Sequence, residues 1–133
     1  MKTQFPIHDG RFDGLRMGDE TATLFFRQTD GTRCELIVFG LARLVMSEFR
    51  EDNIVTLLEL LSGDEAIPRS SFERLMDAPH PSAPESVQEK YNGRINAALA
   101  RIETGESSLL LLHTAGGAEL VAICRAANFN TVG

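Results

Sequence analysis

The chain has 133 residues, 43% of them apolar and 24% charged, the make-up of one globular domain able to close a core without disulfides or a structural metal. Its net charge of −6 is not gathered into a tail, since 7 basic face 10 acidic residues up to Ser62 and 6 face 9 beyond it. An acidic domain of this kind repels a phosphate backbone and suits a basic protein partner, so nucleic acid is disfavoured, and no apolar run approaches the ~20 residues that cross a bilayer.

The opening "MKTQFPIHDGRFDG" carries one Lys and no apolar stretch of the signal-peptide kind, and the expected compartment is the cytoplasm. Along 12–28 the chain reads as extended, with "FDGLRM" and "TATLFFRQ" separated by the turn composition "GDE". Asp30 and Gly31 then sit between "LFFRQT" and "TRCELIVF", a strong hairpin signal. A two-residue loop there sets Phe25 opposite Leu36 and Leu24 opposite Ile37, and predicts a hairpin covered on both faces. Between 41 and 61, "LARLVMSEF" and "NIVTLLELL" fit either element type: Ile54, Leu57, Leu58 and Leu61 have helical spacing, but Ile54, Val55 and Thr56 are β-branched. Two strands with "REDN" as their turn is the reading adopted.

Residues 62–84 form a connector rich in Pro, Ser and charge, holding four of the five prolines. Within it, Ser70 and Glu73 have capping-box spacing and predict a short helix over about 70–77. Ser82 and Glu85 repeat that spacing ahead of a long amphipathic helix over about 83–103. Val87, Tyr91, Ile95, Ala98, Leu99 and Ile102 make its apolar face, and Gly105 is its left-handed terminator. The tail, "SSLLLLHT" then "AGGA" then "ELVAICRA", reads as a second hairpin with Leu112 opposite Val121 and Leu110 opposite Ile123. Its run of leucines at 109–112 implies burial on both faces. The class is α+β: a mostly antiparallel sheet of about six strands packed on the long helix, in one domain over 1–133.

Cys34 and Cys124 lie in apolar strand-like runs and are expected as buried reduced thiols. The stretch "HDGRFDGLRMGDE" is the nearest approach to a chemical signature. Its glycines lack the spacing of a dinucleotide loop or a phosphate-binding P-loop, and those at 10 and 14 suit a turn and a close backbone approach at a strand start. The His8-Asp9 pair is similar to the metal-binding doublet of HD-type phosphohydrolases, but that doublet sits on a helix with further His and Asp ligands. The acids Asp9, Asp13, Asp19 and Glu20 lack the spacing of a calcium loop. His113, at the end of the leucine strand, has no G-x-S-x-G elbow to serve. We therefore expect no catalytic residue, cofactor or metal, and the candidates for any site that exists are His8, Asp9 and His113.

The segments "HDGRFDGL", "DGTRCELIVFGLARL", "FREDNIV" and "IETGESSLLLLHTAGGAEL" resemble a widespread type of small bacterial domain of unknown function. Eleven Arg against two Lys, with no Trp, is the composition of a GC-rich bacterial genome. The resemblance covers most of the chain outside the connector. Some domains of that kind are similar to immunity proteins that neutralise toxins, which implies a protein partner and assigns no residue here. The leading expectation is thus a non-enzymatic interaction module acting through an acidic surface. The alternatives are a homo-oligomeric structural protein, or a small ligand-binding protein or enzyme built on His8, Asp9 and His113.

Overall fold

The computed structural model describes residues 1–132. It contains β1 (Lys2–Gln4), β2 (Arg11–Gly18), β3 (Thr21–Arg27), β4 (Arg33–Phe39), β5 (Arg43–Ser47), β6 (Val55–Leu61), α1 (Arg69–Leu75), α2 (Glu85–Glu103), β7 (Ser108–Thr114), β8 (Glu119–Cys124) and β9 (Ala126–Thr131). The α+β class and the antiparallel pairing hold, but the single sheet of about six strands does not. The described residues form a five-stranded sheet, β1-β6-β7-β8-β5, and a four-stranded sheet, β2-β3-β4-β9. The two unforeseen strands, β1 and β9, are a three-residue piece and the polar run "AANFNT", neither with an apolar alternation to announce it. β8 runs into β9 across Arg125 alone, whose N–H donates to the Phe39 carbonyl at 2.9 Å, so one extended run serves both sheets.

The molecule has three layers. Leu24, Phe26, Leu36 and Val38 of the smaller sheet pack on Leu58, Leu110, Leu112 and Leu120 of the larger one. The opposite face of the larger sheet, with Leu61, Leu109, Leu111 and Val121, is covered by Phe72 and Leu75 of α1 and by Tyr91, Ile95 and Ile102 of α2. A sheet buried on both sides needs apolar residues at every position, which is why the four leucines of β7 are all within 1% of complete burial, as expected.

Both hairpins differ from expectation by one residue. Leu24 faces Leu36 and Phe25 faces Glu35, while Leu112 faces Leu120 and Leu110 faces Ala122. The loops have three residues instead of two: Gln28 N–H donates to the Thr32 carbonyl (2.8 Å) and Thr114 N–H to that of Ala118 (3.0 Å). The last loop residue in each case is a glycine in the left-handed region, Gly31 at φ 88° and Gly117 at φ 94°, as in a turn completed by a bulge. A one-residue slip exchanges the faces of a strand. The β3–β4 hairpin is accordingly buried on one face only, with Thr23, Phe25 and Ile37 half-buried on the other, and is not covered on both sides as expected.

Residues 41–61 do form two strands, but β5 pairs with β8 and β6 with β1 and β7, so "REDN" closes no hairpin. That connection is instead held by the buried Asn53, whose Oδ1 accepts from Arg50 N–H at 3.0 Å and whose carbonyl accepts from Phe12 N–H at 2.9 Å. The helices start slightly away from the expected 70–77 and 83–103. Pro68 and Pro84 are the N-caps and neither makes a side-chain cap bond, so the two capping boxes do not form. Ser82 lies outside α2 and bonds the His80 ring instead, with Oγ 2.6 Å from Nδ1. Among the described residues, no helix is long and apolar enough to cross a membrane.

Cys34 and Cys124 are free and buried, as expected. Burial pushes the Cys124 thiol up to about 12. An unfolded thiol titrates near ~8.5, so the contribution of the neutral buried thiol is present below that pH and is lost as pH rises toward the folded value. Neither thiol of the native protein should react with a disulfide reagent at neutral pH, and both should react after unfolding; rapid native labelling of Cys124 would contradict this packing.

Candidate functional site

The stretch from His8 is where the chain leaves the larger sheet for the smaller one. Asp9 N–H donates to the Val55 carbonyl at 2.9 Å, and Val55 N–H to that of Gly10 at 2.8 Å. The buried Ile7 and Phe12 anchor the passage at either side. Gly10 is required by space: a Cβ there would stand 2.7 Å from the Arg27 carbonyl oxygen and 2.8 Å from Ile7 Cδ1. Its neighbours point outward, with 72% and 68% of the His8 and Asp9 side chains exposed and their Nε2 and Oδ1 atoms 3.5 Å apart. At His8 and Asp9, then, it is the backbone that carries the passage into β2, while these two side chains stand in water.

The acids of this stretch do not converge. Asp13 sits in the bulge between Phe12 and Gly14 and takes Arg27 through both oxygens, at 2.8 and 3.0 Å. Asp19 and Glu20 lie at the opposite end of the β2–β3 hairpin, in its two-residue turn. Among the described residues, no three His, Cys, Asp or Glu side chains are grouped so as to hold a metal ion.

His113 belongs to a different cluster. On β7 it faces Glu119 of β8, with Nε2 3.3 Å from Oε1. The same carboxylate accepts from Ser71 Oγ of α1 at 3.2 Å and from Arg74 of α1, and Arg74 also donates to Ser47 of β5. Glu119 thus gathers the donors of α1 onto three strands, and its lone pairs are taken up in fastening that helix to the sheet. Sequence reasoning found His113 and missed Glu119, Ser71, Arg74 and Ser47. The hairpin register holds the reason, since a two-residue loop sets His113 opposite Leu120. Among the described residues, no hydrogen bond or ion pair joins His113 to His8 or Asp9, so the three candidates are not brought together.

Charge is evenly divided along the chain but not over the surface. The turn after β6 is tied to the end of α2 by Gly63 N–H donating to the Ile102 carbonyl at 2.8 Å. This bond brings together the segments that carry Asp64, Glu65, Glu103 and Glu106, and among the described residues no side-chain ion pair engages any of them. The N-terminal ammonium lies beside the same turn and donates to the Ser62 carbonyl.

These features define a three-layer α+β domain in which Glu119, beside His113, fastens α1 to the sheet. No protein-family model matches the chain, and no curated protein matches it. Among solved structures it is similar to the crystal structure of an uncharacterized protein from Neisseria gonorrhoeae, at 14% identity and a TM-score of 0.54 over 99% of both chains. At that identity the likeness shows a common fold over the whole length.

Proposed function

We propose that the protein is a non-enzymatic protein–protein interaction module that holds a basic partner through its acidic surface. The carrying observation is the grouping of Asp64, Glu65, Glu103 and Glu106, four exposed or half-exposed carboxylates that no side-chain ion pair engages among the described residues. Unpaired surface charge of one sign steers an oppositely charged partner and fixes its orientation. The sequence resemblance to a small bacterial domain of unknown function, some of whose relatives are similar to toxin-neutralising immunity proteins, supports a protein partner.

The test is capture from the native organism's lysate at low and moderate salt, with the wild type beside a variant carrying Asp64→Asn, Glu65→Gln, Glu103→Gln and Glu106→Gln. A basic protein retained by the wild type and released by salt should associate with the variant about tenfold to a hundredfold more slowly. A His8→Ala/Asp9→Ala variant should retain it unchanged. Equal retention by the neutralised variant, or no retained protein at low salt, would overturn the proposal.

A further inference from the structure

Helix α2 separates its charges by side. At 3.6 residues per turn, with Ile95 turned to the sheet, Lys90, Arg94 and Arg101 fall on one flank and Glu85, Glu89 and Glu103 on the other. The basic flank borders two adjoining hollows of about 450 and about 300 Å³, and Arg94 lines both, so they form one groove. Tyr91 and Val87 lie in the first hollow, and Met76, Ala98 and Ile123 in the second. Arg43, at the start of the edge strand β5, closes the far side.

The groove therefore has an apolar floor and four cations around it, in a protein of net charge −6. Its one lining acid, Asp77, stands 3.8 Å from Arg43. Among the described residues, no ion pair engages Lys90, Arg94 or Arg101, all of them exposed. Guanidinium groups held along a groove match carboxylates through paired hydrogen bonds. An apolar floor beneath them accommodates aliphatic or aromatic side chains that a simple anion lacks.

We infer that this groove docks an acidic segment of a protein partner, an extended peptide in which carboxylates alternate with apolar side chains. The span from Val87 to Arg101 is ~21 Å at the helical rise, which accommodates ~6 extended residues. A peptide fits better than a single-stranded nucleic acid, because Tyr91, the groove's aromatic residue, is 8% exposed and offers no open face for a base to stack on. It fits better than a lipid surface, because among the groove's large apolar side chains only Val87 is strongly exposed. This surface is separate from the acidic grouping and takes a ligand of the opposite charge.

The experiment uses the whole protein and four probes: a heptapeptide alternating Glu and Leu, its Lys-and-Leu counterpart, a single-stranded oligouridylate, and vesicles containing phosphatidylglycerol. The chain has one tyrosine and no tryptophan, so Tyr91 emission reports from inside the groove. The acidic peptide should change that emission saturably. Arg94→Glu and Arg101→Glu should each weaken its binding by about tenfold or more, while Glu89→Lys on the opposite flank leaves it unchanged. Circular dichroism of each variant confirms the fold, and Arg94→Lys should restore part of the affinity. The proposal is overturned by failure of the acidic peptide to bind, by equal binding of the Lys-and-Leu peptide, by tighter binding of the oligonucleotide or the vesicles, or by indifference to both charge reversals. Self-association detected through the same groove variants would also overturn it, by naming a second copy as the occupant.

Discussion

Leu110→Ala should lower the free energy of unfolding by about 2–5 kcal/mol, read as a shift of the urea midpoint at constant slope. Leu110 is fully buried on β7, the central strand of the five-stranded sheet, and its side chain belongs to the core between the two sheets. It stands between Leu60 of β6 and Ala122 of β8, and the small Ala122 supplies little mass to refill the space a truncation leaves. Leu111→Ala, one position on, should cost a similar amount by emptying the opposite core under α2, where Leu111 is 1% exposed. Val87→Ala should cost well under about 1 kcal/mol, because Val87 is 42% exposed although it belongs to the helix's apolar repeat. If either leucine variant loses less than the valine variant, β7 is not buried on two sides and the three-layer arrangement is wrong.

Gly10→Ala should destabilise by about 1–3 kcal/mol without removing any contact. The added methyl would stand 2.7 Å from the Arg27 carbonyl oxygen, a backbone atom of β3 that cannot move without disturbing the β2–β3 ladder. Gly14→Ala separates this effect from backbone strain. Gly14 has φ 146°, which an alanine adopts poorly, yet no heavy atom lies within 4 Å of its added methyl. His8→Ala, with its side chain in water, should leave stability within about 0.5 kcal/mol of wild type, whereas Asp9→Ala, at φ 67° where aspartate is tolerated better than alanine, should cost about 1 kcal/mol through the backbone alone. A neutral Gly10→Ala, or a strongly unstable His8→Ala, would show that "HDGR" works through its polar side chains and would return it to candidacy as a site. In chemical denaturation these variants therefore separate a backbone role from a side-chain role for His8, Asp9 and Gly10.

The His113 cluster shows how narrowly a site can escape a sequence. His113 and Glu119 are six residues apart across a glycine-rich loop, and only the loop's length decides whether they meet. Asp-Gly and Gly-Gly loops of two or three residues draw on the same residues, since each needs left-handed backbone that glycine tolerates. Composition therefore located both turns and could not count them. The resulting slip set His113 against Leu120, where no partner for an imidazole exists. Arg74 and Ser71, on a helix some forty residues earlier in the chain, carried no signal at all. They reach Glu119 because Phe72 and Leu75 seat α1 on the sheet.

By itself the sequence determined what depends on near neighbours. The β-branched residues at 54–56 marked a strand against helical spacing. The leucines at 109–112 announced a strand buried on both faces, and the three- and four-residue repeat after Pro84 located the long helix. Tertiary structure alone decided how the strands divide between two sheets, because pairing partners such as Arg43 and Ile123 are far apart in sequence and compete on shape and burial, not on local propensity. It also decided where the charge lies. Two halves of equal charge fold into an acidic grouping and a basic-rimmed groove, since a helix shows each flank to a different environment only after its apolar face has docked.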